Sequence, residues 1–297
     1  MELKSRTLTH QLAYIAIMSA ITIIFSVLTN FFPLVSLLLL LFLPFISALV
    51  AITCDLKLFP IYLVSVILLS IVFDATNFLG IVFYLIPGLI SGLVIGIGYR
   101  QKINGIYMLI GIALVNFVSN YATIPVLDYL YQIDTVNYSM GFIGFSNHPL
   151  INDIFIGILF VTATIQATIT FLIVDGEIKI FKQEANTKYS MLDTYICIIF
   201  SLMTILATFF HIGLAIVFFS VSTILSIYLL IHLFSENMTV GLWVLFISVG
   251  TIPVSLVLNE LYRTSYLPLY LILPVLIIVI GVFLWEYILK QRINIDG

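Results

Sequence analysis

Long apolar runs, each close to one bilayer crossing in length and separated only by short polar or Pro/Gly breaks, recur along this whole chain. A helix needs about 20 such residues to cross the hydrocarbon. The runs lie near 11–31, 33–53, 58–75, 78–98 and 105–127, and then near 153–174, 192–210, 212–233, 238–258 and 265–288. Hydrocarbon offers no water to exposed N–H and C=O groups, and runs this continuously apolar do not alternate as barrel strands do, so the spans are expected to be helices. The expected fold class is all-α: a polytopic membrane protein of about ten transmembrane helices in a lipid bilayer. His211 marks the weakest boundary, and a different break there would give nine or eleven. Charged residues make up 8% of the chain, against about a quarter in soluble domains, which leaves no room for a soluble domain.

Orientation follows from the basic residues, because cytoplasmic loops near span ends collect Lys and Arg. With the N-terminus inside, the inner segments hold Lys4 and Arg6, Lys57, Arg100 and Lys102, Lys179, Lys182 and Lys188, and Lys290 and Arg292. Only Arg263 falls outside. The outer loop of about 25 residues after the fifth run carries Asp128, Asp134 and Asp153 with no Lys or Arg. Both termini are therefore expected in the cytoplasm, and a nine-helix count would break the rule at Lys290 and Arg292. The charged stretch DGEIKIFKQEANTKYSMLD near 175–193 reads as a linker between a six-helix block, 1–185, and a four-helix block, 186–297. The first run has no small-residue cleavage site and reads as a span, not a removable signal. Acidic residues outnumber basic ones by 14 to 11 without a basic stripe, so nucleic acid is not an expected partner. Cys54 and Cys197 are far apart and read as buried bystanders.

Small residues recur at helical spacing in two places. In AYIAIMSA, Ala16 and Ala20 are four apart, with Ala13 on an adjoining face; in PGLISGLVIGIG, Gly88, Gly92 and Gly96 form one ridge after Pro87. Either stripe lets another helix approach closely, within this chain or from a partner. Polar side chains at membrane depth must find partners or line a wet cavity. Asn116 and Asn120 share a face of the fifth run, continued by Thr123, and Thr162, Gln166 and Thr170 are spaced by four in the sixth. If these faces meet, they form a polar cleft open to the outside, with Asn137, Tyr138, Asn147, His148 and Asp153 at its mouth. The alternative is interhelical hydrogen bonding that only fixes packing.

Asp74, beside Asn77, reads as a solvated helix-end carboxylate, and His211 and His232 as solitary helix-end residues, so no metal site is expected. No HExxH helix, GxSxG elbow, Walker lysine or DDxxD-type pair occurs. The chain is not expected to be an enzyme or to carry a cofactor.

The first run with AIMSA, the second with LLFLPFISALVA, the fourth ending GLVIGIGYRQK and the closing LWEYILKQRI together resemble the YybS-like family of bacterial multi-pass membrane proteins. That family is distantly similar to the substrate-binding S components of energy-coupling factor transporters. The S-component likeness covers at most residues 1 to about 185, and the YybS-like resemblance the whole length. It implies a bacterial plasma membrane and a six-helix core that captures a small molecule from outside. It also implies that Ala16 and Ala20 dock on a membrane coupling subunit driven by ATPases. The four helices after residue 190 depart from the S-component pattern.

Two functional classes follow. The first is a transporter-like protein binding a small solute through Asn116, Asn120, Gln166, Thr162, Asn137 and His148, with energy supplied by a partner. The second is a scaffold or assembly factor that uses the glycine and alanine stripes to hold other membrane proteins.

Overall fold

The computed structural model describes residues 7–31, 33–73, 81–141, 151–179, 188–262 and 267–289. Lys4, Arg6, Asp74, Asn77, Asn147, His148, Lys182, Arg263, Lys290 and Arg292 lie outside the described residues. Regular structure among the described residues is helical throughout, without strands. In chain order the helices are α1 (Leu8–Phe31), α2 (Pro33–Thr53), α3 (Phe59–Phe73), α4 (Ile86–Gln101) and α5 (Gly105–Tyr131). They continue with α6 (Thr135–Gly141), α7 (Ile151–Lys179), α8 (Met191–Thr208), α9 (Ile212–Glu236), α10 (Met238–Tyr262) and α11 (Leu267–Leu284). A π-helical turn, Ile81–Leu85, leads into α4, and another, Trp285–Leu289, follows α11. Eight helices among the described residues are long and apolar enough to cross a bilayer, so the chain is a membrane-embedded, all-helical protein. The short α6 lies inside the acidic loop.

By its contacts the chain forms two compact units: unit 1, Met1–Tyr131 with Thr162–Thr187, and unit 2, Gln132–Val161 with Lys188–Gly297. Residues 132–161 belong to unit 2 in this grouping.

Unit 1 is organised around the pairing of α2 with α4. A Cβ added at Gly92 would run into Pro44 O and Ser47 Cβ, one at Gly96 into Ala51 Cβ, and one at Gly88 would stand 3.0 Å from Leu43 Cβ. The glycine ridge therefore faces α2 of its own chain at a distance that only glycine permits. Ser47 Oγ donates to Leu89 O at 2.6 Å across this seam. On one side of the pair, Ile15, Leu43, Val50, Tyr62, Val66 and Leu89 knit α1 and α3 onto α2 and α4. On the other, Ala48, Ile95, Met108, Ile112, Ala167 and Val174 join α5 and α7 to it. Arg100 Nη1 donates to Cys54 O (2.8 Å) and Ala51 O (3.3 Å), closing the C-terminal end of α2, and Tyr99 donates to Asp175 near the end of α7. The ends of α2, α4 and α7 thus meet at one side of the unit. α4 terminates at Lys102, which takes a left-handed φ of 54° while Ile103 N–H returns to Gly98 O (2.8 Å) and Lys102 N–H to Tyr99 O (3.3 Å). That paired return satisfies the last carbonyls, with lysine in a position usually held by glycine.

In unit 2, α8 begins with a capping box: Leu192 N–H donates to Ser190 Oγ, and Ser190 N–H to Asp193 Oδ2 at 2.8 Å. The chain reverses over residues 209–211, where His211 N–H bonds to Ala207 O (2.7 Å) and His211 Nδ1 accepts from Leu214 N–H (3.4 Å) to cap α9. The break at His211 is thus a tight turn between two antiparallel helices. α11 packs on α8, α9 and α10, and Gly281 receives Val244 so closely that a Cβ there would collide with it. Cys54 in unit 1 and Cys197 in unit 2 are both free thiols and both buried.

Candidate functional site

Two features of unit 1 disturb regular helix near the middle of its bundle. Pro44 lies inside α2, and Pro87 lies in the first turn of α4. Proline cannot donate to the carbonyl four residues back, so the hydrogen-bond ladder must change register ahead of it. The π-helical turn Ile81–Leu85 sits at that position before Pro87, and such turns recur at functional sites. Where these prolines stand, the side chains do not close the space between α2, α4, α5 and α7. A cavity of about 130 Å³ remains.

Its apolar wall comes from Pro44, Pro87 and Gly88, and Tyr84 from the π-helical turn stands beside it with an exposed ring. Its polar wall comes from Ser91 of α4, Asn116 and Asn120 of α5, and Gln166 and Thr170 of α7. Ser91 Oγ donates to Asn116 Oδ1 at 3.4 Å, and both residues are buried. The amides of Asn120 and Gln166 border the cavity without a hydrogen bond to another described residue. Each carries two donors and one accepting oxygen. The wall can thus offer hydrogen bonds in both senses, with hydroxyls and amides that do not titrate near neutral pH.

The structure therefore brings Asn116, Asn120 and Gln166 together on one cavity. Thr162 stands exposed and does not line it, although it shares the four-residue spacing with Gln166. Four residues of α-helix turn through about 400°, so the stripe winds by about 40° at each step, and Thr162 and Thr170 fall about 80° apart. Thr170 is on the cavity side. Asn137 belongs to unit 2, where α6 begins: its N–H donates to Asp134 Oδ1 at 3.0 Å, and its side-chain amide donates to the same carboxylate. Those bonds hold the Asp134 carboxyl below its usual range. The remaining candidate, His148, lies outside the described residues. Ala16 and Ala20 are exposed on α1, in contrast to the covered glycine ridge of α4. Sequence spacing pointed to the amides but not to Ser91 or Tyr84. The signal for those two was indirect, a proline next to them in a helix that otherwise has no reason to deform.

Unit 2 holds a second polar cluster, which corrects the reading of His232 as solitary. His232 Nε2 of α9 lies 3.0 Å from Glu286 Oε1 in the π-helical turn after α11, and both side chains are largely buried. The Tyr189 ring stacks on His232 with centroids 3.9 Å apart, and Tyr189 Oη is 2.8 Å from Thr194 Oγ1. Burial, opposed by that bond to Thr194, pushes the Tyr189 hydroxyl above its usual range. The cluster ties the first turn of α8 to the last turn of α9 and to the π-helical turn after α11. No group of three or more His, Cys, Asp or Glu suited to a metal ion occurs among the described residues.

Comparison of the chain with family models, with curated proteins and with solved structures returns no match.

Proposed function

We propose that this chain is a transporter-like, non-enzymatic protein of a bacterial plasma membrane. In this reading it crosses the bilayer ten times with both termini in the cytoplasm, binds a small solute from outside in the cavity of unit 1, and depends on a partner for energy. The observation that carries the reading is the convergence of three amides, from α5 and α7, on a cavity at mid-length in the helices. Amides buried only to fix packing would be spent on one another or on backbone, and those of Asn120 and Gln166 border open space instead.

Length supports ten spans. Besides the eight apolar helices, α2 has 21 residues, and the π-helical turn of 5 residues runs directly into the 16 of α4. At 1.5 Å per residue each makes about 30 Å, one hydrocarbon thickness. The meeting of the α2, α4 and α7 ends around Arg100 supports the orientation, since it gathers Lys57, Arg100 and Lys102 toward one face. Ser91 and Gly88 are nearer the opposite end of α4, which in this orientation faces outward.

The energising partner, a coupling subunit with ATPases, rests on the sequence resemblance and on the exposure of Ala16 and Ala20. A scaffold role would call on both small-residue stripes, and α2 already occupies the glycine one. Purification from native membranes in mild detergent, with mass spectrometry of co-purifying proteins and small molecules, tests the proposal. The expected result is a solute lost from Gln166→Leu, and a coupling subunit lost from Ala16→Trp. Recovery of unrelated membrane proteins and of no solute from the wild type would overturn it.

A further inference from the structure

Resting on the binding role proposed for this cavity, we infer its ligand class: an uncharged ring of about six to eight non-hydrogen atoms with a lactam-like edge that both donates and accepts hydrogen bonds. Size comes first. The cavity measures about 130 Å³, and an apolar cavity of about 150 Å³ is known to take up benzene, six carbon atoms.

Charge comes second. None of the described residues around the cavity is acidic or basic. A net charge held at membrane depth without a counter-charge among these residues would be disfavoured. Organic anions and cations of the same size should therefore be rejected.

Shape of the hydrogen-bonding edge comes third. A primary amide presents an accepting oxygen and donating N–H groups side by side. The natural complement is another amide edge, –CO–NH–, which exchanges two antiparallel hydrogen bonds with it. Asn120 and Gln166, on different helices, both border the space, so a ring with one or two such edges could be held from two directions. The pyrrolidine rings of Pro44 and Pro87, which also border the space, offer C–H surface to the remainder of the ring.

The test uses the full-length protein in lipid nanodiscs and ligand-observed NMR with a panel of small probes. The neutral members are 2-pyrrolidone, 2-pyridone and uracil; the charged ones are pyrrole-2-carboxylate and pyrrolidinium. At least one lactam should bind at least tenfold more tightly than either ion, and its affinity should fall at least tenfold in Asn120→Leu and in Gln166→Leu. Either substitution suffices if the other fails to fold, and the lactam-to-ion ratio is read on the wild type alone. If an ion binds as tightly as the lactams and is still lost in Gln166→Leu, the ligand class is wrong while the binding site stands. If no lactam binds, or the lactams bind the leucine variants undiminished, the inference fails. A wild type that also yields no solute from native membranes would bring the binding role down with it.

Discussion

In unit 2 the buried hydroxyls of Ser201, Thr204, Thr208, Ser222 and Ser226 each donate to a carbonyl three or four residues back, and that of Ser248 donates to Pro274 O on the facing helix. Its ionisable pair, His232 and Glu286, is joined directly, with a tyrosine ring stacked on the histidine. Unit 1 also has closed seams, such as Ser47 on Leu89 O, but it leaves two amides bordering a cavity between two prolines. The contrast separates two uses of polarity in hydrocarbon. Hydroxyls returned to their own helix cost little and add only modestly to stability. Amides left facing a void are poor for stability, and their presence calls for a ligand or solvent to complete them.

The sharpest way to break this comparison is at the α2–α4 seam, because the cavity exists only while that seam holds the two prolines in place. Gly92→Leu would drive a side chain into Pro44 O and Ser47, and overpacking of this kind should cost about 3 kcal/mol, read as a lowered denaturation midpoint in detergent. The cavity should be lost with it. Next in size, Glu286→Ala should cost about 2 kcal/mol by stranding His232, with Glu286→Gln recovering part of the loss. A solute bound in unit 1 should be indifferent to either Glu286 substitution. Ser190→Ala removes one arm of the capping box of α8 and should cost about 1 kcal/mol. The smallest effect is the most telling: Asn120→Leu and Gln166→Leu should leave stability unchanged or raise it by up to about 1 kcal/mol, because an apolar side chain replaces an amide without a partner. A loss above about 2 kcal/mol in either would show that these amides are structural, like the hydroxyls of unit 2.

Much of the helical layout could be read directly from the chain. Continuous apolar runs admit only helices in hydrocarbon, and the break at His211 is a tight turn in which only Phe209, Phe210 and His211 are left between two long helices. Spacing by four put Asn116 and Asn120 on one face, and that face does border the cavity. What spacing could not supply was neighbourhood. Which helix covers the glycine ridge depends on a fit between Gly92 and Ser47, residues with no periodic relation. Ser91 reads as one more small residue in PGLISG until Asn116 is found beside it. His232 and Glu286 are 54 positions apart on helices that are not consecutive, so each alone looks solitary. Thr162 shows the opposite error, a correct spacing on a stripe that rotates off the face.

Both native thiols, Cys54 and Cys197, are sealed inside their units. While folded, the protein should therefore behave toward water-soluble maleimides as if it had no cysteine at all. Single cysteines placed at Lys57, Lys102 and Gln132, all exposed or partly exposed, would then be the only reactive positions in an otherwise wild-type chain. Impermeant reagent applied to intact cells should spare the first two and label the third. The same background would let a cysteine at Tyr84 report from which side the cavity can be reached.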